Sequence, residues 1–350
     1  MVVAEKVCFV LDRRRIETTV GTTVLQAALD AGVYIPHLCY SPILEAYGGC
    51  RLCLVEIEGV RDPTSSCTTP VRDGMVVRSE TDRISALRRM TVSLLVSEHA
   101  GDCLACRANQ RCELQRIAAH VGISEQVAKR VEKECLFDDS NPFFVRDLGK
   151  CVLCGMCVRV CHQVRGVGAI EILNRGLQSI VAPFGSQSIA ESTCESCGAC
   201  VDICPVGALW ARNETLPATD EVKTVCPYCG VGCVLVLGTR AGRLASVRGD
   251  HSTHNRGQLC VKGRFGLDFV HSPDRLTTPL VRQNGELRAA TWDEAYSVIA
   301  KRLGSIKDAF GPDSIVFWSS AKATNEANYL LQKMARAAIG TNNIDCCARN

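Results

Sequence analysis

The chain of 350 residues has no long block of one charge: 40 basic and 37 acidic side chains are interspersed, for a net charge of +3. That dispersal leaves no footprint for nucleic acid or for an anionic lipid surface. Nor does any apolar run approach the roughly 18 residues of a spanning helix, so no membrane anchor is expected. Arg13, Arg14 and Arg15 are followed by Ile16-Glu17-Thr18-Thr19-Val20, which alternates where an export signal would be continuously apolar, and a solvated hairpin is expected there. No secretory leader is expected here, and a disulfide framework, which belongs to small secreted domains, is not expected in so long a chain.

Cysteine is what the chain has in excess, with 23 residues. Cysteines grouped along a large chain in a reducing cytosol hold metal, so a cytoplasmic metalloprotein is expected. With 47% hydrophobic residues the chain has material for packed cores, and its length allows about two to four domains.

The N-terminal stretch, Val7 to Leu11 and on to Val20, reads as a β-hairpin followed by a short helix from Thr22 or Thr23 to Gly32. Then come Cys39, Cys50, Cys53 and Cys67, with Gly48 and Gly49 before the close pair. Glycine there lets backbone N–H groups approach a sulfide-bearing cluster without a Cβ in the way. Ligand number and close pair match the plant-type 2Fe-2S run, although the first spacing is longer. The competing zinc ribbon would want a second C-x2-C pair.

The next set is His99, Cys103, Cys106 and Cys112, preceded by a helical stretch with Ile84, Leu87, Thr91, Leu94 and Leu95 near one face. Spacing alone leaves a 4Fe-4S cubane and a structural zinc both open. Its neighbours favour the cubane. Cys151, Cys154, Cys157 and Cys161, then Cys194, Cys197, Cys200 and Cys204 with Pro205, repeat the bacterial two-cluster ferredoxin run. In such runs the fourth cysteine crosses to the other cubane. One centre is therefore expected on Cys151, Cys154, Cys157 and Cys204, and the other on Cys194, Cys197, Cys200 and Cys161. His162 stands where the repeat has proline. Cys226, Cys229, Cys233 and Cys260 can hold one more 4Fe-4S cluster, with zinc the alternative for the set in isolation. One 2Fe-2S and four 4Fe-4S clusters are thus expected. Cys8, Cys135, Cys346 and Cys347 remain, and are expected as small buried apolar side chains.

Beyond Cys260, Thr291-Trp292-Asp293-Glu294 predicts a capping box that opens an amphipathic helix with Ala295, Val298, Ile299, Arg302, Leu303 and Ile306. Ile315 to Trp318 reads as a buried strand, and a second helix is expected from about Asn325 to Ala338. That is one strand between two helices, the beginning of an α/β sheet with no partner strand in view.

The order of these motifs, with Cys226-Pro227-Tyr228-Cys229-Gly230-Val231-Gly232-Cys233 after a double ferredoxin run, resembles the cytosolic, NAD-linked formate dehydrogenase catalytic subunits of the molybdopterin oxidoreductase family. The resemblance covers essentially the whole chain and continues in Lys262-Gly263-Arg264-Phe265-Gly266 and from Gly340 to Arg349. It implies that Lys262 relays electrons between the last cubane and the pterin. It also implies a molybdenum or tungsten bis-pterin guanine dinucleotide in the full-length protein, whose metal-ligating cysteine or selenocysteine would fall at position 351, with no catalytic residue earlier. A UGA codon read as a stop at that point is one expectation; a shortened gene product and a split protein are the others. Partners implied are a flavin-containing NADH-oxidising subunit and a small 2Fe-2S subunit, with formate or CO2 as substrate. Iron-only hydrogenases share the double ferredoxin but not the Cys226 set, and respiratory NADH dehydrogenase large subunits share the first two sets.

The expected architecture is multidomain α+β. A β-grasp 2Fe-2S ferredoxin domain is placed at 1–80, a small helical domain with the His99 set at 81–140, and a double 4Fe-4S ferredoxin domain at 141–215. A molybdopterin oxidoreductase 4Fe-4S domain follows at 220–276, and an incomplete molybdopterin oxidoreductase α/β domain at 277–350. Asn213 to Asp220 is the most linker-like segment.

Overall fold

Alternating residues at the N-terminus form β1 (Lys6–Leu11) and β2 (Arg14–Thr19), paired antiparallel. The computed structural model describes residues 5–99, 103–123, 137–214 and 217–347. Asp12 and Arg13, at φ 49° and 70°, make the turn, where two left-handed residues match the twist of the strands. Thr23 Oγ1 accepts from the Gln26 amide at 3.3 Å and opens α1 (Val24–Asp30). With β3 (Leu54–Ile57), β4 (Thr64–Ser65) and β5 (Val76–Arg78), the sheet runs β2-β1-β5-β3-β4, and β1 lies parallel to β5. This is the expected β-grasp arrangement. Its core joins Phe9, Leu11 and Ile16 to Val24, Leu25, Val55 and Val77, each such side chain contributing about 1.5–3 kcal/mol by leaving water.

The helical stretch is α2 (Asp82–Glu98), capped by Thr81. Its buried face differs from the apolar reading: Ile84, Arg88, Val92, Ser93 and Ser97 are buried, while Leu94 is 51% exposed. A guanidinium stands where the 3.6-residue period calls for a hydrocarbon. After α3 (Glu113–His120) come β6 (Phe137–Asp138) and β7 (Phe144–Asp147). Then follow α4 (Met156–Arg159), β8 (Glu171–Leu173), β9 (Ile180–Ala182), α5 (Ala199–Ile203) and β10 (Leu209–Ala211). Strands β10, β7 and β6 form one sheet, and β8 pairs with β9. A single core takes Leu38 and Leu52 from the first stretch, Val92 from α2, Leu114 and Ile117 from α3, and Val206 and Ala208 from the turn before β10. Residues 1–216 accordingly form one compact unit and residues 217–350 another.

The second unit opens with an antiparallel sheet of β11 (Asp220–Val225), β12 (Val234–Arg240) and β13 (Arg243–Gly249). Helix α6 (Val261–Phe265) and the hairpin β14 (Leu280–Gln283) with β15 (Glu286–Ala289) follow. Thr291 caps α7 (Trp292–Phe310) by accepting from the Glu294 amide at 3.2 Å. The Glu294 carboxylate pairs with Arg288, so the expected box is made in one direction and the acid is used elsewhere. Of the apolar positions expected on one face of α7, Ala295 is buried, whereas Val298, Ile299 and Ile306 are exposed.

Two expectations are corrected here. The strand near residue 317, β16 (Phe317–Ser319), alternates: Ile315 and Phe317 are buried, while Val316 and Trp318 are 56% and 75% exposed. After α8 (Asn325–Lys333), whose last turns widen through Ile339, the chain returns as β17 (Ile344–Cys346), parallel to β16. The partner strand is therefore present. It was hidden because Asp345 and two cysteines interrupt any apolar run. No helix among the described residues is long and apolar enough to cross a membrane.

Candidate metal centres

Three thiols of the first set lie on the loop before β3, and Cys67 follows β4. Cys39, Cys53 and Cys67 are each 1% exposed and Cys50 is half-buried. The Cys50 amide donates to Cys39 Sγ at 3.4 Å. Gly48 has φ +68°, where a side chain would be strained, and a Cβ on Gly49 would fall 2.2 Å from the Tyr47 ring, which would have to move. The thiols group as two pairs. A hydrogen bond from Cys50 holds Cys39 down to about 6 and raises Cys50, and one from Cys67 holds Cys53 down to about 6 and raises Cys67. The Cys53 carbonyl accepts from Ser66 Oγ at 2.7 Å and from the Ser66 amide at 3.0 Å. Arg88, 1% exposed, donates to the Leu54 carbonyl at 3.0 Å and to Glu80 at 2.9 Å.

Of the second set, Cys112 is buried at the start of α3, Cys106 is half-buried and Cys103 exposed. Burial raises the Cys112 thiol, with Cys106 and Cys103 adding to it. The His99 ring is half-buried and its Nδ1 is enclosed without a hydrogen-bond partner among the described residues. Burial lowers its pKa and favours the neutral imidazole that a metal requires. Among the described residues, the Lys150 backbone and the charges of Lys150 and Asp147 also bear on the ring. Residues 100–102, which join His99 to Cys103, lie outside the described residues.

The double run builds two cavities. One of about 560 Å³ is lined by Cys151, Cys154, Cys157 and Cys204, and Cys200 is also in its lining. One of about 390 Å³ is lined by Cys161, Cys194, Cys197 and Cys200. The fourth thiol of each run thus sits with the first three of the other. Each run bends the same way: Leu153 and Gly155 have φ of 52° and 71°, Ser196 and Gly198 have 54° and 71°. These left-handed steps aim the Leu153 amide at Cys151 Sγ and the Ser196 amide at Cys194 Sγ, both at 3.4 Å. The Ala169 amide reaches Cys161 Sγ at 3.3 Å. Burial pushes Cys154 up to about 12 and Cys204 up to about 11, against backbone hydrogen bonds that lower them, and raises Cys157 and Cys200 further; neighbouring thiols add to each rise. Thiols so placed ionise only when a cation takes the charge, which is the condition an iron-sulfur cluster meets. Among the described residues no three His, Cys, Asp or Glu side chains converge closely enough to hold one ion; the donors surround a space instead, which fits a polynuclear cluster.

In the second unit Cys226 is buried, Cys229 and Cys233 half-buried and Cys260 exposed. The Cys226 amide donates to the Cys233 carbonyl at 2.8 Å, and Gly232 at φ +65° makes the bend. Burial raises Cys226 and Cys233, with the other thiols of the set contributing to each. A Cβ on Gly263 would lie 3.5 Å from Cys226 Sγ. Lys262 is exposed on α6, two residues after Cys260.

Of the four leftover cysteines, the three that are described do not form the buried packing expected. Cys8 and Cys346 are half-buried, Cys347 is exposed with its thiol 3.3 Å from Ser320 Oγ, and Cys135 lies outside the described residues. What sequence reasoning missed is a set of arginines behind the thiols. Arg146, 3% exposed, bears on Cys194 and Cys200, and Arg159 bears on Cys39. Their signal was a charge inside an otherwise apolar stretch, as in Cys157-Val158-Arg159-Val160-Cys161.

Five family descriptions match in the same order as the thiol sets. They are a 2Fe-2S iron-sulfur cluster binding domain at 4–82, the NADH-ubiquinone oxidoreductase-G iron-sulfur binding region at 88–126 and a 4Fe-4S dicluster domain at 150–208. A molybdopterin oxidoreductase Fe4S4 domain follows at 219–272 and the molybdopterin oxidoreductase domain at 275–350. The chain carries iron-sulfur domains followed by the start of a molybdopterin oxidoreductase domain. The chain is 37% identical over 347 residues to the NADPH-Fe(3+) oxidoreductase subunit alpha of Geobacter sulfurreducens, covering 98% of this chain and 40% of that protein. It is 37% identical to an NADH-quinone oxidoreductase subunit of Rhizobium meliloti, covering 97% and 40%. A Staphylococcus aureus protein named "Putative formate dehydrogenase" is 32% identical, covering 94% and 38%. The chain therefore spans about two fifths of the length of these relatives. A chain in the crystal structure of an NAD+-reducing NiFe-hydrogenase is 34% identical with a TM-score of 0.55, covering 59% of this chain and 87% of that one.

Proposed function

We propose that this chain is the iron-sulfur electron-transfer portion of a cytoplasmic formate dehydrogenase that interconverts formate and CO2 and exchanges electrons with NAD through a flavin-bearing partner. Cys39, Cys50, Cys53 and Cys67 hold a 2Fe-2S cluster in this reading. The other four sets hold 4Fe-4S clusters: His99 with Cys103, Cys106 and Cys112; Cys151, Cys154 and Cys157 with Cys204; Cys194, Cys197 and Cys200 with Cys161; and Cys226, Cys229 and Cys233 with Cys260. The observation that carries it is the crossed grouping of thiols around two cavities in a chain that also holds the Cys226 set ahead of an α/β fold.

When bound, the clusters supply one-electron chemistry, and a molybdenum or tungsten bis-pterin guanine dinucleotide elsewhere in the protein supplies the two-electron chemistry at formate. The chain's own part is to give up thiol protons, to aim the amides of Leu153, Ser196 and Ala169 at sulfur, and to keep water out with apolar walls such as Phe144, Ile170 and Val206. Lys262 serves as the relay toward the pterin from its place beside Cys260. A small 2Fe-2S subunit is the second partner.

A second reading, an electron-transfer subunit of an NADH dehydrogenase type of complex, is favoured by the match at 88–126. Anaerobic iron and acid-labile sulfide analysis with EPR decides the cluster assignment: about eighteen irons per chain and no zinc are expected. About fourteen irons with one zinc would make the His99 set structural, and several zincs with little iron would overturn the reading. Formate-dependent NAD reduction by the whole protein with its partners separates formate dehydrogenase from the second reading.

A further inference from the structure

We propose that Arg159 couples the 2Fe-2S loop to the first cubane and raises the reduction potential of the 2Fe-2S centre. The inference rests on the assignment of clusters to the Cys39 and Cys151 sets. Arg159 ends α4, two residues beyond Cys157, yet its side chain is spent on a distant loop. Its Nη2 donates to the Cys39 carbonyl at 2.5 Å and its Nη1 to the Glu45 carbonyl at 2.8 Å. The guanidinium also lies 5.2 Å from the centre of the Tyr47 ring. Gln163, on the same helical segment, accepts from the Glu45 amide at 3.3 Å, and Leu44 packs with Met156 and Val160. The segment from Cys39 to Tyr47 is thus held to α4 by both polar and apolar contacts, with one cation at the junction.

Two features turn this scaffold into a device that sets potentials. The first is charge. The Arg159 cation acts on the Cys39 thiol, and Cys39 in turn is among the thiols acting on Cys154. Reduction adds one negative charge to a cluster, so a fixed cation beside it favours the reduced form. The second is an unused donor. Arg159 Nε is buried and has no hydrogen-bond partner among the described residues. A buried N–H without an acceptor is costly, and both other arms of the fork are already engaged on the Cys39 loop. A cluster sulfur would be an acceptor for this N–H, and a hydrogen bond to cluster sulfur would raise the potential as well.

The test is an anaerobic dithionite titration of the full chain followed by EPR, read on the 2Fe-2S signal at temperatures where the cubane signals have broadened. In Arg159→Gln the one-electron reduction constant of that centre is expected to fall about tenfold, which is about 59 mV. Arg159→Lys keeps the charge and loses the Nε–H, and its potential is expected between those of wild type and Arg159→Gln. An unchanged potential in the Gln variant overturns the proposal, and so does a Lys variant that falls as far as the Gln one. Loss of the 2Fe-2S signal from both variants overturns it too, since Arg159 would then be a scaffold only. A wild-type chain without a 2Fe-2S signal would instead sink the assignment of the Cys39 set.

Discussion

Arg88 Nε donates to the Leu52 carbonyl at 3.1 Å from a side chain that is 1% exposed. With its second bond to Leu54, the guanidinium straddles Cys53 and fixes the backbone on both sides of that thiol.

Replacing Arg88 by methionine fills similar volume but leaves the carbonyls of Leu52 and Leu54 without their buried donor. The Cys50 to Cys53 loop is expected to lose about 1–3 kcal/mol of stability. Urea titration followed by the visible circular dichroism of the 2Fe-2S centre measures this as earlier cluster loss. A midpoint equal to wild type would show that solvent replaces the arginine.

Cys204→Ala and Cys161→Ala distinguish crossed from uncrossed ligation. Each is expected to lose about four irons, but from different centres. Cys204→Ala should remove the cubane of the Cys151 run, and Cys161→Ala that of the Cys194 run. EPR of the two variants, set beside Cys151→Ala and Cys194→Ala, assigns the missing signals. Matching Cys204→Ala with Cys194→Ala would mean that the runs do not cross.

A methyl group on Gly207 would lie 2.6 Å from Cys106 Sγ and 3.3 Å from Ala108 Cβ. Gly207→Ala should therefore displace the Cys106 thiol and empty the His99 set of about four irons while the double run keeps its own. Iron analysis checks it; full occupancy of the His99 set in this variant would mean that the Cys103 to Cys112 loop repacks freely.

Lys262→Ala is expected to leave the iron content unchanged, because the side chain is exposed and is no ligand in this assignment. In the whole protein, reduction of the clusters by formate should slow about tenfold, about 1.4 kcal/mol of barrier. Stopped-flow absorbance of the clusters reads the rate, and an unaltered rate would make Lys262 an ordinary surface lysine.

The thiol sets were legible because ligation imposes spacing that no packing rule imitates, and the first hairpin and α1 because alternation and a threonine cap are local signals. Arg88, Arg146 and Arg159 were not legible. A buried guanidinium depends on which carbonyls and thiols the fold brings to it, and those come from distant parts of the chain. The same holds for β17, whose Ile344-Asp345-Cys346 is a strand only because β16 lies beside it. Glu294 carried the right chemistry for its cap but met Arg288.

The exchange of fourth thiols between the two runs also constrains how the protein is made. Cys204 is the last of the eight thiols to be translated, yet it lines the first cavity. In the ligation proposed above, the thiols of the second cavity are complete once Cys200 is made, whereas the first, begun at Cys151, would wait for Cys204, so the run that is translated first would be loaded last.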